Sequence, residues 1–179
     1  MFKIVKDNEK SIREKCQPVV LPLSQEDKDL ALGMVDYLIK SQDEEYASKH
    51  NIRAGVGLAA PQIGINKRMF AIYYETEEGF VKYALINPKI IQNSIKKVAL
   101  ASGEGCLSVD NDHPGYVYRF DKIVIKGFDA ITNKEVTITA RGYDAIVLQH
   151  EYDHLDGILY YDRINKENPT QEVPNSYLI

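Results

Sequence analysis

The stretch "YDAIVLQHEYDHLDG", residues 143–157, decides the fold and carries the candidate site. It predicts a helix that begins near Tyr143 and ends at Gly157, because a glycine suits the C-terminal cap. At about 100° and about 1.5 Å per residue, His150 and His154 lie about 40° apart around the helix and about 6 Å apart along it. Both imidazoles can therefore reach one metal ion, and Glu151, on the adjoining flank, can contact a water on that ion.

The apolar residues of this stretch occupy two faces of the predicted helix, which predicts that the helix is buried. Tyr143, Ile146 and Val147 share the face of the two histidines. Buried imidazoles and a buried carboxylate are costly unless they are satisfied, and a metal ion would satisfy them. The alternative at this point is a pair of hydrogen-bonded core histidines with a capping carboxylate.

A tetrahedral site needs a third protein ligand, which the His-Glu-x-x-His motif does not supply. One class of metalloproteases takes a histidine six residues after the second one, but that position is Tyr160 in this chain. Another class takes a glutamate from a later helix, and only Glu167 and Glu172 follow, in a tail that contains two prolines. The other histidines, His50 and His113, lie in polar, loop-like sequence and are weak candidates.

Cys106 remains as the third candidate ligand. It lies in "ASGEGCLSV", residues 101–109, at the end of a predicted strand and beside Gly105, which allows close backbone approach. A thiolate and two imidazoles are a sound ligand set for Zn²⁺ or Fe²⁺, with the fourth position left for water. The other cysteine, Cys16, is predicted to be a small buried hydrophobic side chain.

The length and composition favour a globular intracellular protein. A chain of 179 residues predicts one domain, 1–179. The formal net charge is −4 with both signs mixed along the chain, which argues against a nucleic-acid surface. No apolar run approaches the roughly 18 residues of a membrane span, and the charged start lacks the apolar segment of a signal peptide.

The remaining elements predict an α+β fold with antiparallel sheets packed around the buried histidine helix. Residues 23–47 predict an N-terminal helix, with Ser24 as its cap. The β-branched and aromatic residues predict strands in 68–75, 80–91 and 96–106. A hairpin is expected in 122–140, with its turn near 132–134, and the tail 165–179 is expected to hold no long helix.

Three motifs in this order resemble the peptide deformylase family. They are "GVGLAAPQIG" at 55–64, "EGCLSV" at 104–109 and "QHEYDH" at 149–154. The resemblance covers nearly the whole chain. Within the family, the chain is similar to the type 2 subclass, which is common in Gram-positive bacteria. It implies a cytoplasmic bacterial hydrolase that removes the formyl group from N-formylmethionine of nascent polypeptides and releases formate.

The resemblance also implies roles for individual residues. The implied metal ligands are Cys106, His150 and His154. Glu151 corresponds to the general acid/base, and Gln62 and the backbone N–H of Leu107 correspond to the groups that stabilise the oxyanion. The implied cofactor is one divalent ion, with Fe²⁺ expected and Zn²⁺, Ni²⁺ or Co²⁺ possible. The chain has Asp156 where the subclass often has Asn, and we expect no loss of activity from this difference.

Two further groups of residues are expected at the substrate. Gly55, Val56 and Gly57 would let a peptide backbone lie against the first motif as an added strand, although an ordinary glycine turn is the alternative. The methionine side chain would enter an apolar pocket, although core packing explains the same residues equally well. The pocket candidates are Tyr143, Ile146 and Val147, with Val56 and Leu107. The expected partners are formylmethionyl peptides, nascent chains and, transiently, the ribosome, and the enzyme is expected to be a monomer.

Two other hypotheses compete with this function. The first is a different metallohydrolase, such as a peptidase, that uses the same three ligands. The second is a non-enzymatic protein with a structural metal, which is disfavoured because structural zinc sites normally have four protein ligands. A partly buried ion pair between Glu104 and Arg119 is also predicted, which would brace the segment that carries Cys106, and a solvated loop carboxylate at Glu104 is the alternative.

Overall fold

A computed structural model of the chain describes all 179 residues. Its larger sheet has five strands in the order β1-β2-β3-β6-β7, and every neighbouring pair is antiparallel. The strands are β1 (Gly57–Ala59), β2 (Met69–Thr76), β3 (Gly79–Asn93), β6 (Lys122–Asp129) and β7 (Lys134–Arg141). The strands predicted in 68–75 and 80–91 and the hairpin in 122–140 are confirmed. β1 forms one edge of the sheet.

The smaller sheet has three strands in the order β5-β4-β8. They are β4 (Lys97–Ala99), β5 (Arg119–Phe120) and β8 (Ser176–Leu178). β4 and β8 are parallel, so one pair departs from the predicted antiparallel sheets. The strand expected over 96–106 ends at Ala99, so Cys106 lies in a loop rather than at a strand end. A strand of three half-buried residues in the tail has too short a pattern to be predicted.

The N-terminal helix is broken in two, which corrects the single helix predicted over 23–47. Helix α1 spans Gln25–Ser41, and the Ser24 hydroxyl accepts a hydrogen bond from the Asp27 N–H, as expected of a cap. Helix α2 spans Glu44–His50 and has its own cap, since the Asp43 carboxylate accepts a bond from the Tyr46 N–H at 2.8 Å. Asp43 with two glutamates after it is a start signal that divides the predicted helix.

The larger sheet is covered on both faces, which explains the nearly unbroken apolar run of β2. Met69 and Ala71 belong to the core cluster that contains α1. Phe70 and Ile72 belong to a second cluster, which contains the third helix, α3 (Tyr143–His154). Successive residues of a strand point to opposite faces, so each face of β2 is buried by its own helix. None of the helices has the length and apolarity that crossing a membrane requires.

Helix α3 begins at Tyr143, as the sequence predicts, and ends at His154, with Gly157 closing the turn that follows it. Gly157 has a φ of +70°, and its N–H donates to the His154 carbonyl at 3.2 Å. The Ile158 N–H donates to the Asp153 carbonyl at 3.0 Å, which completes a Schellman motif. A Cβ at residue 157 would also lie 2.3 Å from the Arg13 carbonyl oxygen, so glycine is required there. The N-terminal segment crosses this helix end and buries Cys16, as predicted.

Candidate metal centre

The structure brings together the three side chains that the sequence nominates as metal ligands. Cys106, His150 and His154 each offer one donor atom, and these atoms all lie within 4.8 Å of one another. The two histidines come from adjacent turns of α3, with ring centroids 5.2 Å apart. The Cys106 thiol lies 3.3 Å from Nε2 of His154. One sulfur and two imidazole nitrogens at this spacing can share one divalent ion.

The weaker candidates lie elsewhere. His50 is exposed at the end of α2, where its Nδ1 is 2.9 Å from the Tyr46 carbonyl oxygen. His113 stacks on Tyr161, with ring centroids 4.1 Å apart. The two glutamates that follow the helix, Glu167 and Glu172, are exposed in the tail. None of the four belongs to the ligand cluster.

Glu104 orients the first histidine, and the predicted pair with Arg119 is confirmed. Arg119 donates from Nε to Oε2 of Glu104 at 2.8 Å and from Nη2 to Oε1 at 2.9 Å, and both side chains are buried. Nδ1 of His150 lies 2.8 Å from Oε1 of the ionised Glu104 and donates to it, so Nε2 is the ring nitrogen that is left to face the cluster. Burial alone would raise the pKa of Glu104, but Arg119 and His150 lower it to about 2, so the carboxylate is ionised.

The same arginine extends the network to the surface through Asp153. Nη1 of Arg119 donates to Oδ2 of Asp153 at 2.9 Å. The half-exposed Arg163 donates to both oxygens of Asp153, at 2.6 and 2.7 Å. Sequence analysis missed Asp153 and Arg163. Nothing in their local sequence marks them, although Asp153 lies one turn after His150 on the same helix.

Glu151 is buried beside the cluster and has one free oxygen. Its Oε1 lies 3.9 Å from Nε2 of His150, while Oε2 has no hydrogen-bond partner in the protein. Burial raises the pKa of Glu151 to about 7. A carboxyl group with a pKa near neutrality and an unsatisfied oxygen can accept and return a proton during a reaction.

Gln62 and Leu107 present hydrogen-bond donors to the same space. The Gln62 side chain is buried and fixed, because its Oε1 accepts a bond from the Ala59 N–H at 2.9 Å. Its Nε2 lies 3.2 Å from the Ser108 hydroxyl and 3.5 Å from the Cys106 sulfur. The Leu107 N–H donates to no protein atom. A fixed side-chain amide and an unpaired backbone N–H next to Cys106 are the kinds of donor that can stabilise a developing oxyanion.

The glycines of the first motif have a reason that sequence analysis missed. A Cβ at residue 57 would lie 2.3 Å from Oε1 of Glu151, and a Cβ at residue 55 would lie 2.7 Å from Cδ1 of Leu107. Real Cβ atoms do not make contacts this short, so a side chain at residue 57 would displace Glu151 and one at residue 55 would displace the tip of Leu107. These contacts explain the glycines without a substrate, so they do not test the peptide backbone expected along the first motif.

A cavity of about 350 Å³ opens over the cluster. It is lined by every residue that the sequence nominates for substrate binding: Gly55, Val56, Gly57, Tyr143, Ile146 and Val147. Cys106, His150, Glu151, Gln62 and Leu107 complete much of its wall. The Val56 N–H, next to the edge strand β1, donates to no protein atom. The cavity thus combines an apolar pocket, a free strand edge and the metal-binding cluster.

The sequence and the fold are both similar to those of peptide deformylases. The family model described as polypeptide deformylase matches residues 1–170. The chain is 48% identical over 172 residues to "Peptide deformylase 2" of Geobacillus stearothermophilus, a match that covers 96% of this chain and 93% of that protein. A probable peptide deformylase from Synechococcus phage S-SSM7 has a similar crystal structure, with 35% identity, a TM-score of 0.72 and coverage of 92% of this chain and 100% of that one.

A third similar structure contains a peptide. It is the Met-Ala-Ser-bound class I type b peptide deformylase from Acinetobacter baumannii, which is 28% identical to this chain. Its TM-score is 0.71, and the match covers 92% of this chain and 98% of that one.

Proposed function

This chain belongs to the peptide deformylase family, and from that premise we propose that Cys106, His150 and His154 hold the metal ion of its active site. The protein is a hydrolase that removes the formyl group from nascent polypeptides. The observation that carries the assignment of the site is the convergence of one thiol and two imidazoles within 4.8 Å, beside a buried carboxylate.

The chemistry of these residues fits a divalent ion. Glu104 fixes the tautomer of His150, so that its Nε2 can coordinate. Burial lowers the pKa of His154 well below its ordinary value, which keeps this imidazole neutral and able to coordinate. The mixed sulfur and nitrogen set suits Fe²⁺, the ion expected from the family, and also Zn²⁺, Ni²⁺ and Co²⁺. The ion, when bound, supplies Lewis-acid polarisation for the hydrolysis of an amide.

The proton chemistry is assigned to Glu151. Its carboxylate takes the proton of the attacking water and later gives it to the departing amine. Burial raises the pKa of Glu151, which favours a carboxyl group that can both accept and return a proton. Gly57 leaves space for the Glu151 carboxylate at the cavity wall, because a side chain at residue 57 would overlap it.

Two hydrogen-bond donors are assigned the role of stabilising the negative charge that develops on the formyl oxygen. The fixed amide of Gln62 lies 3.5 Å from the Cys106 sulfur, and the N–H of Leu107, the next residue, has no partner in the protein. Such preorganised donors stabilise the oxyanion more than the planar carbonyl, and one of them contributes about 3–4 kcal/mol in comparable sites.

The substrate is an N-formylmethionyl polypeptide. The methionine side chain occupies the apolar part of the cavity at Ile146 and Val147, with Tyr143 at the exposed end. The peptide backbone adds along Gly55–Gly57, where the free Val56 N–H offers a bond that ignores the substrate's sequence. The peptide in the Acinetobacter structure also begins with methionine, which supports this assignment.

We extend the proposal to the setting of the enzyme. The chain acts as one domain over 1–179 with α3 as its central helix, and it works as a monomer in the bacterial cytoplasm. Its substrates emerge from the ribosome, so it meets the ribosome transiently. The span of the family model, residues 1–170, supports the single domain.

A panel of blocked peptides tests the function. The protein is incubated with formyl-Met-Ala-Ser, acetyl-Met-Ala-Ser and unblocked Met-Ala-Ser, and formate and new amino groups are measured. The proposal predicts formate and one new amino group per turnover from the formyl peptide alone. Cleavage of an internal peptide bond would instead favour the alternative of a metallopeptidase with the same ligands.

A further inference from the structure

Arg53 lies at the rim of the cavity, and neither the metal site nor the methionine pocket uses it. Its side chain is 54% exposed and is anchored by one nitrogen only. Nη2 donates to the carbonyl oxygens of Cys106 at 2.8 Å, Leu107 at 3.0 Å and Val109 at 3.3 Å. Nε and Nη1 donate to no protein atom. The guanidinium is thus held in place with most of its donors free.

The rim carries an excess of positive charge. Asp110 is the one carboxylate near Arg53, at 3.9 Å, and it lies closer to Lys6, at 2.9 Å. Two cations therefore share one anion. Of the acidic residues deeper in the cavity, Glu104 already pairs with the buried Arg119. A negative group that enters the rim therefore meets two cations that share a single carboxylate.

A bound peptide passes within reach of this cation. Arg53 precedes Gly57 by four residues, and a chain spans at most about 3.6 Å per residue, so their Cα atoms are no more than about 14 Å apart. A substrate whose formyl group lies beside Glu151 covers that distance with its first four residues. A substrate strand that adds along Gly55–Gly57 and runs toward Arg53 brings the side chains of its second to fourth residues to the rim.

We propose that Arg53 determines specificity by favouring an acidic side chain at the second to fourth position of the formylated polypeptide, an inference that rests on the proposed function. A carboxylate accepts a hydrogen bond from the free Nε or from the free Nη1, which lie on different edges of the guanidinium, and either contact is strengthened by the opposite charges. The contact is solvent-exposed, so the preference for Glu over Gln is about two- to fivefold in kcat/KM, the range of exposed ion pairs.

Formyl-Met tetrapeptides that differ at one position test this inference. Glu, Gln or Lys is placed in turn at positions two, three and four, and kcat/KM for formate release is measured at low ionic strength. The variants are Arg53→Gln, Arg53→Lys and Arg53→Glu. Lys126→Gln is the matched control, because Lys126 is an exposed cation of β6 that forms no ion pair.

The proposal predicts the order Glu, Gln, Lys at one or more of these positions for the unmodified protein and for the control. Arg53→Lys keeps the order, Arg53→Gln removes it, Arg53→Glu reverses it, and about 0.5 M salt weakens it. A role confined to bracing the Cys106 loop would slow all peptides by the same factor and leave the ratios unchanged.

Two results overturn the inference. One is equal kcat/KM for the Glu, Gln and Lys peptides with the unmodified protein, which needs no variant to fold. The other is an order that Arg53→Gln retains. In both cases formate is still released, so the proposed function stands. Its own failure would be distinct, since no formyl peptide would then yield formate.

Discussion

Glu151 occupies the space that a side chain at residue 57 would need, because a Cβ there would lie 2.3 Å from its Oε1 and 2.7 Å from its Cγ. The backbone of the edge strand β1 at Gly57 thus packs directly against the Glu151 carboxylate of helix α3. This contact ties the glycine motif to the His-Glu-x-x-His motif and fixes the residue that we assign to proton transfer.

Substituting Gly57→Ala should displace the Glu151 carboxylate from the cavity wall. General acid–base catalysis contributes about 10²–10⁴-fold, and the variant should lose a large part of that factor in kcat. The metal should be retained, since the three atoms nearest to the added methyl group all belong to Glu151 and none to a metal ligand. Formate release and metal content are measured on the same sample.

Gly33→Ala is the matched control for this substitution. Gly33 lies within α1, and its added Cβ would meet only the Phe2 ring, at 3.2 Å. Alanine favours a helix over glycine by about 1 kcal/mol, so activity should persist and thermal stability should not fall much. Equal activity of the Gly57→Ala and Gly33→Ala variants would show that the contact with Glu151 does not matter.

Glu151→Gln separates proton transfer from metal binding. The amide has nearly the same shape and cannot carry the proton, so kcat should fall by about 10²–10⁴-fold while the metal content is unchanged. Stability should not drop, because the substitution removes a buried group whose ionised form is disfavoured by burial. Turnover equal to that of the unmodified protein would refute the role given to Glu151.

Arg119 and Arg163 should differ in their effect on stability, although both pair with Asp153. Arg119→Met leaves the buried Glu104 without its arginine partner and should cost about 3–5 kcal/mol in the free energy of unfolding. It should also weaken metal binding by about 10–100-fold, because Glu104 orients His150.

Arg163→Met should cost only about 1–3 kcal/mol, because Arg163 is half-exposed and Asp153 keeps its bond to Arg119. Chemical denaturation and competition with a metal chelator measure the two effects. Equal losses of stability and of metal affinity for the two variants would contradict the network described for the site.

The Cys16 thiol should be chemically unreactive in the folded protein. Its raised pKa should also make the free energy of unfolding fall at high pH. Burial raises the pKa of its thiol from 9.0 to about 11. Between these two pH values the folded chain retains a proton that the unfolded chain releases, so the free energy of unfolding decreases as pH rises. Cys16→Ala removes this component, although it also leaves a small cavity.

The difference in unfolding free energy between the unmodified protein and Cys16→Ala should therefore shrink as pH rises from about 9 to about 11. Denaturant unfolding at several pH values measures it. A difference that stays constant across this interval would show that the thiol is not shielded as the structure indicates.

The sequence predicts the parts of the site whose geometry follows from a single element. Helical spacing places His150 and His154 on one face, and Gly157 is recognised as the helix end because only a few residues adopt its backbone conformation. The pairing of Glu104 with Arg119 is also predicted correctly. The roles assigned to Glu151, Gln62 and Leu107 remain predictions that need activity measurements.

The parts that the sequence does not predict depend on contacts between distant segments. The reason for Gly57 lies in the position of Glu151, and the anchor of Arg53 lies in the Cys106 loop. The parallel pairing of β8 brings the chain terminus back to β4, which no local pattern announces. The break between α1 and α2 is different, since the capping signal at Asp43 was present in the sequence.

The most direct test of the central claim is formate release as a function of bound metal under anaerobic conditions. The metal-free protein is titrated with Fe²⁺, and formate release from formyl-Met-Ala-Ser is followed together with the metal content. The proposed site predicts that activity rises linearly with bound Fe²⁺ and reaches its maximum at one ion per chain. The Cys106→Ser variant should not reach a maximum at one ion per chain. Formate release that is independent of bound metal, or none at one ion per chain, would contradict the account.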